Sequence, residues 1–355
     1  MDNLILKNVT LGDSLTDITI DRVSGTILSV EPTDLAGRDM AGARVIPGLV
    51  DIHSHGCIGY DVIDAEGMAE MCEFLAQNGT TSWCPTTMTA PVETIRRAVC
   101  EAQIPNKGAH VLGFHLEGPY INEKYCGAQS PELAIKPNSK DFDDLEQVVM
   151  MTLAPDVEGA IDYIAKSPFK TVLGHTAANY ETAKKAFEAG ANCVTHLFNA
   201  MPPMHHREPS VVGAALTENA YVQIICDGIH IHPAVILAAY RMFGPDRMIL
   251  ISDAMAATGL DDGTYSLGGQ PVFVRDGVAR IENGALAGST STLAHCLRCA
   301  VSFGIPESDA IKMATETPAR YLGVKKGIIA PGYDADLLVV DDKLNVKEVI
   351  LCNQL

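Results

Sequence analysis

Five apolar runs in this chain each close on a residue able to hold a divalent metal or move a proton. They are Val45-Ile-Pro-Gly-Leu-Val-Asp-Ile-His-Ser-His55, Val111-Leu-Gly-Phe-His-Leu-Glu117, Thr171-Val-Leu-Gly-His175, Cys193-Val-Thr-His196 and Met248-Ile-Leu-Ile-Ser-Asp253. One histidine closing a strand is ordinarily a hydrogen-bonded core or rim residue. Five such endings, in the order His-His, Glu, His, His, Asp, form a pattern that demands a shared site. Two imidazoles and a carboxylate suit zinc or a neighbouring transition metal and leave a coordination position open for water. Glu117, His175 and His196 are therefore expected to hold one ion, zinc first, with Fe2+ or another transition metal as the alternative. Residues two apart on a strand project to the same face, so His53 and His55 are expected to hold a second ion if one binds. Asp253 stands where a carboxylate would accept a proton from water and return it to a leaving group. Its competing reading is an N-cap of the turn Ala254-Met-Ala-Ala.

Ligands so far apart in sequence meet only if the strands bearing them end at one place. A parallel barrel does this, gathering the carboxyl ends of its strands around one mouth. Apolar runs at 45–53, 80–88, 110–117, 148–154, 171–175, 192–197, 222–227 and 248–253 alternate with helical patterns, which predicts an α/β fold, a (β/α)8 TIM-type barrel. The helix after the fifth run is signalled by Asn179 as N-cap, Ala183, Ala186 and Phe187 on one face, and Gly190 as its stop. Residues 1–44 alternate apolar and polar, as in Asn3-Leu-Ile-Leu-Lys-Asn-Val, and 332–355 share that texture. The two ends are expected to form a small β-sandwich domain beside a barrel spanning 45–331. Within the barrel, 263–283 reads as a β-hairpin insertion turning at Arg275-Asp-Gly-Val.

The 355 residues, 47% hydrophobic and 20% charged, suit one large barrel and a small extra domain. A net charge of −18 argues against nucleic acid or an anionic membrane as partner, since both need a basic face. An anionic substrate would have to be captured by a local cluster of donors. No apolar stretch is long enough to span a bilayer, and the start shows no basic region leading into an apolar one, so the expected location is cytoplasmic. The ten cysteines are scattered and read as free thiols. Cys296-Leu-Arg-Cys299 has metal or redox spacing but lies on a helical face, where packing is the better account.

Several segments carry a resemblance over nearly the whole chain: His115-Leu-Glu-Gly-Pro-Tyr120, Gly174-His-Thr, Thr195-His-Leu-Phe-Asn-Ala-Met201 with Arg207-Glu-Pro, Asp227-Gly-Ile-His230, Ser252-Asp-Ala, Leu286-Ala-Gly-Ser289 and Gly327-Ile-Ile-Ala-Pro-Gly-Tyr-Asp-Ala-Asp336. The chain resembles the N-acetylglucosamine-6-phosphate deacetylase family of the amidohydrolase superfamily. That resemblance implies a hydrolase of amino-sugar catabolism, with one or two ions and a homodimeric assembly. It gives Glu117, His175 and His196 the main metal and Asp253 the acid/base role. It also assigns Asn199, Ala200, Arg207 and His230 to the sugar phosphate, and the backbone of Leu286, Ala287 and Gly288 to the sugar. Arg207 offers a planar fork that fits phosphate, and His230 adds a donor. The chain departs from the family where Gly-Ala-His is usual: it has Gly127, Ala128 and Gln129. An amide still donates a hydrogen bond to substrate but carries no charge, which leaves open whether the gluco, galacto or manno sugar is preferred. A cyclic-amide hydrolase would carry a lysine on the fourth strand, and Val148-Val-Met-Met-Thr-Leu-Ala-Pro155 has none. A non-catalytic sugar-phosphate sensor would have no need of Asp253.

Overall fold

The computed structural model describes residues 3–355. Eight parallel strands form the barrel: Leu49–Ser54, Thr80–Thr87, a third strand in two pieces (His110–Val111 and Phe114–Glu117), Val148–Leu153, Lys170–Leu173, Cys193–Val194, Tyr221–Ile225 and Met248–Ile251. Each pairs with the next in sequence. The last is brought back to the first where Asp253 N–H donates to the His53 carbonyl at 3.0 Å. Because successive strand residues face opposite sides, neighbours separate into two cores. Met150, Val172, Cys193, Ile225 and Ile249 pack together within the barrel, whereas Met151, Leu173, Val194, Ile224 and Leu250 join the layer shared with the helices.

The runs read from sequence are subdivided in the structure. The first is split at Gly48: Arg44–Pro47 pairs with the small sheet, and Leu49–Ser54 enters the barrel. Gly48 has no room for a side chain, since an added Cβ would lie 2.1 Å from Thr81 Oγ1. The third run breaks at Leu112-Gly113, where Gly113 has φ +123°. The fifth, sixth and eighth strands stop before His175, His196 and Asp253.

Both ends of the chain contribute to a seven-stranded sheet, whose main path runs from Val346–Ile350 through Leu337–Val340, Arg44–Pro47, Asn3–Leu11 and Ser14–Asp21 to Thr26–Val30. Its far edge returns to the approach of Leu337–Val340: Ile27 N–H donates to the Tyr333 carbonyl and Ala335 N–H to the Gly25 carbonyl. The sheet thus folds around its own core of Leu6, Val9, Ile18, Ile20, Leu337 and Ile350. The insertion is a three-stranded meander, Gly263–Leu267, Gln270–Arg275 and Val278–Ile281, rather than a single hairpin. Two two-residue turns make it, Gly268-Gly269 and Asp276-Gly277, all four residues having positive φ, the geometry that suits the twist of paired strands. The helix Tyr180–Glu188 is capped by Asn179, whose side chain accepts from Thr182 N–H. Cys296 is buried on the helix Leu293–Ser302, as packing requires.

Candidate metal and sugar site

At the carboxyl ends of the strands the expected ligands converge. Glu117 Oε1 lies 3.1 Å from His175 Nε2 and 3.0 Å from His196 Nε2, and those two nitrogens are 3.0 Å apart. Beside them, His53 Nε2 and His55 Nε2 are 3.3 Å apart, and Asp253 Oδ1 is 3.1 Å from His55 Nε2. All six side chains are buried. His175, His196 and Asp253 have φ of +48°, +23° and +50°, a region that residues with a side chain seldom adopt and that recurs at functional sites. The chain turns sharply off each strand there, which carries these side chains inward over the barrel mouth.

The second ring nitrogen tests whether the set suits a metal: His196 Nδ1 is buried without a partner, but those of the other three histidines are held. His55 Nδ1 meets the Thr86 carbonyl at 3.1 Å and His175 Nδ1 the Tyr125 carbonyl at 3.0 Å. A carbonyl has no proton to give, so each Nδ1 carries the hydrogen and each Nε2 presents a bare lone pair. Gln223 Oε1 plays the same part for His53 Nδ1 at 2.9 Å. Such partners fix the tautomer and aim of metal-binding imidazoles. Burial opposes ionisation of both carboxylates, but the imidazoles outweigh it, holding Glu117 well below the usual carboxylate range and lowering Asp253. Burial likewise pushes His53 down, yet Glu117 and Asp253 lift it to about 9. The site therefore draws positive charge, as a proton or as a metal ion, and the donor set fits the latter.

Above the ligands lies a cavity of about 240 Å³. Its wall includes His55, Glu117, Ala128, Gln129, His175, His196, Asn199, Ala200, His230, Asp253, Leu286 and Gly288. Three expected residues are not in that wall. His53 is fully buried behind His55, and Ala287 is buried in the core under the insertion, with Met255 and Val272. Arg207 is exposed, its guanidinium against His206 Nε2 at 2.6 Å. A larger groove of about 680 Å³ between the helix Met68–Gln77 and the last strand has neither histidine nor cysteine in its lining.

Sequence reasoning missed several residues. Gln223 was detectable as a polar residue inside an apolar run. Asp227 accepts from His230 Nδ1 at 2.7 Å and from His230 N–H at 2.9 Å, which aims the ring; it lay inside a quoted motif. Met88 and Leu267, which also line the cavity, carry no sequence signal beyond hydrophobicity. His232 caps the helix Pro233–Phe243.

Residues 44–352 match the sequence profile of the amidohydrolase family. An N-acetylgalactosamine-6-phosphate deacetylase of Escherichia coli O157:H7 is 36% identical over 359 residues, covering 96% of this chain and 95% of that protein. An N-acetylglucosamine-6-phosphate deacetylase of Vibrio furnissii is 37% identical over 355 residues, covering 93% and 88%. Among solved structures, a mutant N-acetyl-D-glucosamine-6-phosphate deacetylase from Mycobacterium smegmatis, in complex with N-acetyl-D-glucosamine-6-phosphate, superimposes with a TM-score of 0.90 at 33% identity, over 99% of each chain. The N-acetylglucosamine-6-phosphate deacetylase of Thermotoga maritima gives 0.88 at 31% identity, over 99% of this chain and 98% of that one.

Proposed function

Because the chain belongs to the amidohydrolase family, we propose that it is a metal-dependent deacetylase converting N-acetylglucosamine 6-phosphate and water to glucosamine 6-phosphate and acetate. The observation that carries this reading is the convergence of Glu117, His175, His196 and Asp253 on one cavity that also holds His230.

Glu117, His175 and His196 would hold the main ion, which we take to be zinc, and His53, His55 and Asp253 Oδ1 would make a second donor set. Bound there, the main ion would supply Lewis acidity toward the acetyl carbonyl and toward water. Asp253 takes the water's proton as its oxygen attacks the carbonyl carbon. It then gives that proton to the amine nitrogen as the C–N bond breaks. Asn199, Ala200, Leu286 and Gly288 border the sugar, and His230 donates to its phosphate.

Arg207, exposed and outside the cavity wall, serves the phosphate from a second copy of the chain, and on that ground we read the protein as a homodimer. Mixing Arg207→Ala with Asp253→Asn chains should then restore activity, because a hybrid dimer contains one site with both residues intact. The ten unpaired cysteines suit the reducing cytoplasm.

The deciding experiment strips the metal with a chelator, restores zinc, and measures acetate release from N-acetylglucosamine and from the gluco, galacto and manno 6-phosphates. Zinc-dependent release, greatest with the gluco 6-phosphate, is expected. Preference for the galacto sugar would favour the second reading, which the Escherichia coli relative and Gln129 support. Release from no 6-phosphate, or undiminished activity without metal, would overturn the proposal.

A further inference from the structure

Gln129 stands where the family this chain resembles usually has histidine, and its amide is committed on three sides. Thr89 N–H donates to Oε1 at 2.8 Å. This fixes which end of the amide is oxygen, since a flipped amide would set N–H against N–H. Nε2 must then face the ligands: it donates to Glu117 Oε2 at 2.8 Å and lies 3.2 Å from His175 Nε2. Glu117 Oε2 thus meets the amide, with His55 Nε2 at 3.5 Å, while Oε1 meets His175 and His196, with His53 Nε2 at 3.3 Å. Gln129 is buried, and its loop is gripped from the insertion, where Gln270 Nε2 donates to the Ala128 carbonyl at 3.1 Å and to Ser130 Oγ at 2.9 Å.

We propose that Gln129 is a positioning residue for the metal ligand Glu117, and that the three-stranded insertion holds it in place through Gln270. The amide pins Oε2 so that Oε1 is the oxygen presented between His175 and His196, and it does so without titrating, as a histidine there would. This rests on the reading that Glu117, His175 and His196 hold the metal.

The test is zinc affinity, measured on the metal-stripped full chain by competition with a chromophoric chelator. Wild type and His196→Asn are run first: no binding by the former, or full binding by the latter, would sink the metal-site reading itself. Given a functioning site, Gln129→Met, which keeps the length but removes the donor, should weaken zinc about 10- to 100-fold, the usual effect of losing a partner of a metal ligand. Gln270→Ala should weaken it less, by about 3- to 10-fold. Thermal unfolding of the metal-free variants reports whether each is folded. Unchanged zinc affinity in folded Gln129→Met, with a raised KM for the sugar, would overturn the proposal and leave Gln129 as a substrate contact alone. Should Gln129→Met not fold, Gln270→Ala decides: unchanged affinity there counts against the proposal, and a loss in the stated range supports it.

Discussion

Asp253 is held by its backbone before its side chain does anything. Its N–H donates to the His53 carbonyl, its own carbonyl accepts from Ser289 N–H at 2.7 Å, and its φ is +50°. The N-cap reading of this residue fails because its carboxylate faces His55 Nε2 at 3.1 Å, while Met255 N–H, which a cap would take, donates to the Ser289 carbonyl at 3.0 Å. Asp253→Asn should keep the main ion, since its ligands are untouched, and lower kcat by about 10² to 10⁴, the worth of a positioned acid/base. Elemental analysis alongside steady-state kinetics checks both halves, and a loss under tenfold would move the role elsewhere. His230 yields a pH prediction. Burial pushes its pKa down, but the Asp227 carboxylate more than compensates and the net shift is upward. The charged ring is therefore present below the raised pKa and lost as pH rises through it, so KM for the 6-phosphate should climb on the alkaline side while weak activity on the unphosphorylated sugar stays flat. Asp227→Asn should move that inflection to lower pH; an unmoved inflection would assign it to another group. At this scale residue types at strand ends were legible because ligand chemistry is a property of the residue. Arg207 was not, because nothing in Arg207-Glu-Pro tells whether the guanidinium turns toward its own barrel or away from it.

Between elements, the site depends on bonds that cross the barrel. Gln223, on the seventh strand, holds His53 on the first, and Thr195, leading off the sixth, touches both, with Oγ1 at 3.0 Å from His53 Nδ1 and 2.9 Å from Gln223 Oε1. Gln223→Leu removes the acceptor that fixes the His53 tautomer. We expect it to weaken a second ion about 10- to 100-fold while the main ion stays bound. Metal stoichiometry during stepwise dialysis reads this directly, and loss of both ions together would mean that the barrel itself had relaxed. Strand existence was readable from apolar runs bounded by Gly and Pro, but strand ends were not. Apolar periodicity reports burial, which continues past the last ladder bond into the turns at His175, His196 and Asp253. The second turn of the insertion is legible in Asp276-Gly277, and the first carries a turn signal of the same kind in Gly268-Gly269.

Across the whole molecule, the joint between the small sheet and the barrel contains a buried ion cluster. Lys326 is 5% exposed, and its ammonium lies 2.7 Å from Asp336 Oδ2 and 2.8 Å from Asp334 Oδ2. Asp336 is itself 4% exposed; its Oδ1 accepts from Cys352 N–H at 3.0 Å and its carbonyl accepts from Gly48 N–H, the residue where the chain passes from small sheet to barrel. Asp336 thus links three places, its carboxylate holding the C-terminal turn and its backbone carbonyl the entry to the barrel's first strand, at the start of the strand Leu337–Val340. The sequence showed Asp334 and Asp336 only as part of a motif, with no sign that Lys326 lay between them, because that contact depends on how two loops pack. Lys326→Met keeps much of the volume but leaves the Asp336 carboxylate buried without its cation, which should cost about 3–5 kcal/mol of stability. Lys326→Met with Asp336→Leu should recover much of that loss, since replacing both partners by apolar groups removes the unpaired charge. Urea unfolding followed by circular dichroism reads both variants, with zinc affinity at low denaturant as the control for the site. A single variant within about 0.5 kcal/mol of wild type, the range of an ordinary surface change, would show that this cluster does not fasten the two parts together.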